Sequence, residues 1–244
     1  MKNARYIRIS ISLALLLLGF ALFSICVGPL STNPGDVYNA IRSKIGIAPT
    51  MNEAMETVLF SIRIPRVLSS MMIGAMLSLS GAVYQGIFRN PLVSPDILGV
   101  SSGASVGAAG AILLGLGMVE RQVFAFIGGI LAVVLASTLP RLLKNHSNLV
   151  LVLSGIIVGG FFSSLLAIMK FVAEEQTELA AIVFWQMGSF ATINMREIFS
   201  IAPVFLIGTI LLINLSWRIN ILSFGEIEAK TLGMNIRQIR GITI

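Results

Sequence analysis

Residues 9–27, ISISLALLLLGFALFSICV, decide the fold class of this chain. The stretch holds 19 consecutive residues without an Asp, Glu, Lys or Arg. At a rise of about 1.5 Å per residue, a helix of about 20 apolar residues crosses the hydrocarbon core of a bilayer. The basic residues Lys2, Arg5 and Arg8 precede it, and no small-residue cleavage motif follows. We therefore expect a membrane-spanning helix that is retained rather than a cleaved signal.

Five further stretches share this pattern and predict an all-α, polytopic transmembrane bundle. The whole chain is 56% hydrophobic and only 11% charged, whereas a soluble domain is about a quarter charged. Lipid must therefore be the solvent for much of its surface. The predicted spans, which contain no acidic or basic residue, are residues 9–27, 67–88, 97–116, 123–139, 149–169 and 199–217.

The charged residues between the spans predict the orientation of the bundle. Basic residues concentrate on the cytoplasmic side of membrane proteins. With the N-terminus inside, three acidic residues accompany ten of the 17 basic residues on that side. The sequence therefore predicts a cytoplasmic N-terminus. These ten are Lys2, Arg5, Arg8, Arg89, Arg141, Lys144, Arg218, Lys230, Arg237 and Arg240.

Small residues recur every fourth position in three of the predicted spans, the second, the third and the fifth. Gly99, Gly103 and Gly107 lie in the third span, and Gly155 and Gly159 lie in the fifth. Residues four apart share a helix face, and a face of glycines lets another helix backbone approach closely. We expect these five glycines to be helix-packing residues in a tight bundle.

The sequence offers no catalytic or metal-binding pattern. It has one cysteine and one histidine, His146, and no G-x-x-x-x-G-K-[ST] phosphate loop. We expect no enzyme activity, no metal and no cofactor. The net charge of +6 suits basic loops held against anionic lipid better than a nucleic-acid partner. Mid-membrane ionisable residues, which proton-coupled carriers usually need, are missing from the spans, so a transporter of this kind would take its energy from a partner.

Three motifs go beyond composition. They are RIPR at residues 63–66; SGAVYQ at 80–85 with RNPL at 89–92 and PDILGVSSGA at 95–104; and GEIEAKTLG at 225–233. Together they closely resemble the FecCD-type permeases. Members of that family are the membrane subunits of ABC importers for iron-siderophores, haem, cobalamin and some oxyanions.

The resemblance implies functions for residues at both ends of the second span. It implies that Arg63 and Arg66 meet acidic residues of a substrate-binding protein. It also implies that Asn90, Pro91 and Leu92 help to close the cytoplasmic end of the pathway. From the residues alone, the arginines could instead extend to lipid headgroups, and the loop could be an ordinary tight helical hairpin.

The third motif matches the coupling helix that lies in a groove of the ATPase subunit in this family. The residue pattern itself predicts a short polar helix that Gly233 ends in the left-handed conformation. A solvated loop helix is the alternative. The residues implied in ATPase coupling are Gly225, Glu226, Glu228, Ala229, Leu232 and Gly233.

The resemblance predicts a single permease domain over residues 1–244 in a bacterial cell (inner) membrane. The expected partners are a second permease, the same or homologous, two ABC ATPase subunits and an extracytoplasmic substrate-binding protein. Such permeases typically have ten spans and this chain has six, so we expect a C-terminally truncated chain or a separate chain that supplies the rest. Half of an ion-coupled secondary transporter and a non-transporting membrane scaffold remain the alternatives.

Overall fold

The computed structural model describes residues 2–30, 32–47, 53–145, 147–225, 229 and 231–234. All regular secondary structure in these residues is helical. Its α-helices are α1 (Lys2–Cys26), α2 (Pro34–Lys44), α3 (Glu53–Thr57), α4 (Ile64–Phe88), α5 (Val100–Leu113), α6 (Met118–Leu142), α7 (Asn148–Val172), α8 (Ala180–Met187) and α9 (Met195–Phe224).

Five helical segments of the described chain are long and apolar enough to cross a membrane, and α5 is a shorter apolar helix. This confirms the predicted all-α, polytopic bundle of about six spans. The five segments are Ala4–Cys26, Ala54–Phe88, Met118–Leu142, Asn148–Val172 and Met195–Phe224.

The third predicted span is shorter than the sequence suggested. A 3₁₀ turn, Pro95–Leu98, replaces the expected start of the helix. Gly99 then adopts a left-handed conformation with φ of 74° as the N-cap of α5, and its carbonyl accepts the first hydrogen bond of the helix, from the Gly103 N–H at 3.0 Å. The remaining helix has 14 residues and a length of about 21 Å.

The second predicted span is longer than expected, because the helix continues through Pro65. Proline has no N–H to donate within a helix. The preceding residues Val58–Arg63 form a π-helix, in which the Ile64 N–H donates to the Leu59 carbonyl five residues back. With this π turn, α3 and α4 form one segment from Ala54 to Phe88, rather than a helix that starts near residue 67.

The chain divides into two compact units, Met1–Gly74 with Phe190–Phe205 and Ala75–Ser189 with Leu206–Ile244. The first unit contains a small buried cluster around Leu59. The second contains a larger cluster that includes Ile87 and Leu222, which are almost completely buried.

Glycines bring α5 and α6 into backbone contact within the second unit. A Cβ added at Gly103 would lie 2.4 Å from the carbonyl oxygen of Gly128, and one at Gly107 would lie 2.0 Å from that of Phe124. Real Cβ atoms do not approach so closely. Only glycine therefore fits at Gly103 and Gly107 without displacing the neighbouring helix.

The turn before α5 packs against α7 in the same way. A Cβ at Gly155 would lie 2.1 Å from the Ile97 carbonyl oxygen. One at Gly99 would lie 2.9 Å from the Cα of Gly159. The helix-packing glycines predicted from the sequence thus lie where backbones meet: Gly99, Gly103 and Gly107 on α5 or the turn before it, and Gly155 and Gly159 on α7.

Candidate functional site

The loop that follows α4 is a tight and well-bonded turn. Arg89 has φ of 52°, in the left-handed region, and ends the helix. The side-chain oxygen of Asn90 accepts a hydrogen bond from the Leu92 N–H at 3.0 Å, which fixes the turn around Pro91. Leu92 is 89% exposed, whereas the next residue, Val93, is buried in the large cluster. The loop therefore anchors itself through Val93 and presents Leu92 outward.

Side chains from neighbouring elements hold this region in place. Asn148, the first residue of α7, donates from Nδ2 to the Phe88 carbonyl at 3.2 Å and so satisfies an acceptor at the end of α4. The carboxylate of Asp96 accepts from the Ser101 N–H at 3.0 Å in the first turn of α5. An anionic acceptor at a helix N-terminus is favourable both as a hydrogen bond and with the helix dipole.

The segment after α9 forms a defined helix end where it is described. The Ala229 N–H donates to the Gly225 carbonyl at 3.1 Å. The Met234 N–H donates back to the Ala229 carbonyl at 3.0 Å, and Gly233 between them has φ of 74°. This is the arrangement of a Schellman helix end. The predicted coupling residues Glu226 and Glu228 lie outside the described residues.

The segment after α9 and the loop after α4 share one apolar cluster. Ala229 is completely buried and belongs to the same cluster as Phe88, Val93 and Leu222. Leu232, in contrast, is 63% exposed. Ala229 and the loop residue Val93 thus belong to one buried cluster, whereas Leu232 lies outside it.

Arg63, which directly precedes α4, is buried and hydrogen-bonded inside the chain. Its Nη1 donates to the Ile25 carbonyl at 2.7 Å and to the Cys26 carbonyl at 3.1 Å. The same nitrogen contacts the Thr32 hydroxyl, and Nη2 donates to the Leu30 carbonyl. All of these acceptors lie at or just beyond the C-terminal end of α1.

Arg66 is placed differently, although it is only three residues further along. Its guanidinium is exposed and donates from Nη2 to the Ala191 carbonyl at 2.8 Å. The resemblance implied that both arginines meet acidic residues of a substrate-binding protein. In the structure, Arg66 alone of the pair presents an exposed guanidinium.

Two partners of Arg63 were not identified from the sequence. Thr32 both contacts the guanidinium and donates to the Cys26 carbonyl at 2.9 Å. Gly28 provides the space, since a Cβ there would lie 2.5 Å from Arg63 Nη2. The available signal was Gly28 directly after the first apolar stretch, which marks the end of a helix whose last carbonyls need donors.

The family model described as the FecCD transport family matches residues 15–244 of this chain. Over 244 residues the chain is 36% identical to the molybdate import system permease protein MolB of Haemophilus influenzae, covering 100% of this chain and 72% of that protein. The chain is 39% identical over 193 residues to the probable iron chelatin transport system permease protein of Helicobacter pylori, covering 78% of this chain and 57% of the relative.

Two further comparisons cover nearly the whole chain. The vitamin B12 import system permease protein BtuC of Escherichia coli is 33% identical over 235 residues, which are 96% of this chain and 67% of BtuC. A solved structure, described as a metal-chelate type ABC transporter in an inward-facing conformation, matches with a TM-score of 0.82 and 36% identity. The match covers 97% of this chain and 71% of that one. With its helical bundle and its three motifs, this chain belongs to the FecCD transport family.

Proposed function

We propose that this chain is the transmembrane permease subunit of an ABC importer that moves an iron-siderophore-type metal chelate into the cytoplasm, driven by a separate ATPase. The observation that carries the proposal is the similarity, at a TM-score of 0.82 over 97% of the chain, to a metal-chelate type ABC transporter. The relatives named above are likewise permease proteins of import or transport systems.

The proposed substrate class rests on two of the four matched proteins. The solved structure is of metal-chelate type, and the Helicobacter relative is named for iron chelatin. The other two relatives are named for molybdate and vitamin B12. The test must therefore compare all three substrates in the same cells.

The proposed energy source is a separate ATPase that contacts the segment after α9. Its exposed apolar residue, Leu232, is available to a groove on a partner, and Ala229 on the same segment packs inside the chain. Movement of the ATPase would pull on this segment and, through the shared cluster, on the loop at Asn90 and Leu92. Through this path, ATP binding and hydrolysis by the ATPase would open and close the Asn90 loop.

The proposed orientation places the N-terminus and the segment after α9 in the cytoplasm of a bacterial cell. The charge distribution supports it, since most basic residues then lie inside. Arg66 would then face outward and bind a carboxylate of an extracytoplasmic binding protein, for which an arginine fork is well suited. A second permease, the same or homologous, would complete the pathway.

Uptake measurements on the intact importer test this function. The chain is produced with the ATPase, binding-protein and second permease subunits of its importer, in a strain that lacks its own importers for the three substrates. Radiolabelled ferric siderophore, cobalamin and molybdate are offered in parallel. We expect uptake of the ferric siderophore only, and none when the phosphate-loop lysine of the ATPase is replaced.

The controls separate the alternatives. Uptake that survives inactivation of the ATPase would overturn the ABC mechanism and favour an ion-coupled carrier. Uptake of molybdate or cobalamin instead would retain the mechanism and replace the substrate. No uptake of any of the three, from an importer that is assembled and hydrolyses ATP, would contradict the metal-chelate assignment.

A further inference from the structure

We infer that the two arginines of the RIPR motif have separate functions: Arg63 is an internal clamp that closes the C-terminal end of α1 and joins it to the α4 segment, and Arg66 is the docking cation. The first function is independent of the proposed transport. The second rests on it, because it requires a binding protein.

The end of α1 creates the need for a clamp. The last carbonyls of a helix have no partner within the helix, and near a membrane an unsatisfied carbonyl is costly. Arg63 donates to the carbonyls of Ile25 and Cys26, the last two residues of α1. A cation at this end is also favourable with the helix dipole.

The chain beyond α1 is held by the same guanidinium. Arg63 donates to the Leu30 carbonyl and contacts the Thr32 hydroxyl, which itself donates to Cys26. One side chain thus bonds the end of α1 and the turn after it to the π-helix that precedes α4. The apolar stretch of α1 has no buried residue within the described chain, so these bonds and the cluster around Leu59 are its main attachment.

The surroundings of Arg63 are built for a guanidinium bonded to neutral oxygens. Among the described residues, the ion pair is Lys44 with Glu56, so Arg63 contacts no carboxylate there. Gly28 has no positive φ that would require glycine, and the atoms closest to its missing Cβ belong to Arg63. Glycine at this position is explained by the space that the guanidinium occupies.

Arg66 has the opposite environment. It is exposed and makes one described hydrogen bond, to the Ala191 carbonyl. A guanidinium can donate five hydrogen bonds in a planar fork, so Arg66 retains donors for a carboxylate from outside. Arg63, which is 8% exposed, would first have to give up its bonds to α1.

The clamp is tested on this chain in membranes without any binding protein, with Cys26 as the reporter. Cys26 is the one cysteine of the sequence and packs against the Leu59 cluster beside the clamp. We expect Arg63→Gln to raise the rate of Cys26 labelling by a small thiol reagent by about tenfold, since charged hydrogen bonds are lost and the end of α1 opens locally.

Matched variants make this result specific. Gly28→Ala keeps the charge of Arg63 but removes its space, so it should raise labelling in the same direction. Arg66→Gln removes a charge three residues away and should leave labelling as in the unmodified chain. If Arg63→Gln fails to accumulate, the Cys26 labelling of Gly28→Ala alone tests the clamp. Unchanged labelling in Gly28→Ala or Arg63→Gln, or a rise in Arg66→Gln, would overturn the clamp.

Docking is measured separately, with the binding protein and the intact importer. Arg66→Glu should lower affinity for the binding protein by at least tenfold and leave Cys26 labelling unchanged, as expected for loss of a charge pair. Normal affinity in Arg66→Glu would overturn the docking function and leave the clamp standing. A loss of affinity in Gly28→Ala as large as that in Arg66→Glu would contradict the division between the two arginines.

Discussion

Gly103 on α5 and Gly128 on α6 face each other so closely that a Cβ on Gly103 would lie 2.4 Å from the Gly128 carbonyl oxygen. We predict that Gly103→Ala lowers the thermal stability of the chain in detergent by about 1–3 kcal/mol, because the two helices must separate. The matched control is Gly110→Ala on the same helix, where the added Cβ would meet Met169 Cε at an ordinary 3.5 Å.

The two variants add the same methyl group to the same helix, so helix propensity favours both equally. The fraction of protein that stays intact after heating is measured by size-exclusion chromatography. A difference between the melting midpoints of the two variants then reports the effect of packing. Equal midpoints for Gly103→Ala and Gly110→Ala would show that the close contact between α5 and α6 does not limit stability.

A second pair of glycines tests the contact between the turn before α5 and α7. We predict that Gly155→Ala destabilises the chain, because its Cβ would lie 2.1 Å from the Ile97 carbonyl oxygen. Gly160→Ala on the same helix should be neutral, since nothing lies within 4 Å of its added Cβ. Protease resistance of the purified chain in detergent provides the measurement. The prediction fails if both variants resist protease equally.

The orientation is tested by labelling single cysteines in intact cells, in a Cys26→Ser background. Lys144 precedes α7 and Glu175 follows it, and both residues are exposed. At 25 residues, α7 is long enough to cross the membrane. We predict that Glu175→Cys reacts with an impermeant thiol reagent and Lys144→Cys does not. Both should react once the cells are opened. Labelling of Lys144→Cys from outside would reverse the proposed topology.

The sequence was sufficient to predict the helical bundle, because the length of apolar stretches and the membrane thickness leave few alternatives. It also predicted which helix faces carry small residues, since a spacing of four marks a face. It misplaced the starts of the second and third spans. The π turn before Pro65 and the left-handed Gly99 depend on local hydrogen bonding that hydropathy does not register.

The candidate sites were harder to predict, because a motif names residues without saying which way they face. Arg63 and Arg66 are equivalent in the sequence, yet one is buried among carbonyls and the other is exposed. Ala229 and Leu232 differ in the same way, with Ala229 inside the cluster and Leu232 outside it. Whether a residue is buried depends on which elements pack around it, and a single sequence contains little of that information.

The difference between Ala229 and Leu232 gives the sharpest test of coupling. Leu232→Glu places a charge on an exposed surface, so the permease should fold and reach the membrane in normal amounts. If that surface lies in an apolar groove of the ATPase, the unpaired charge at the contact should cost about 2–5 kcal/mol of association. Ala229→Glu buries the same charge inside the permease and should instead reduce its abundance.

Both variants are measured in the intact importer for membrane abundance, ATPase co-purification and uptake. We expect Leu232→Glu to lose the ATPase and uptake at normal abundance, and Leu232→Met to behave as the unmodified chain because it keeps an apolar side chain of similar size. Ala229→Ser, with a small volume change, should retain most of its abundance and coupling. Normal uptake and ATPase recovery in Leu232→Glu would show that the exposed side of residues 225–233 is not the contact through which ATP hydrolysis drives transport.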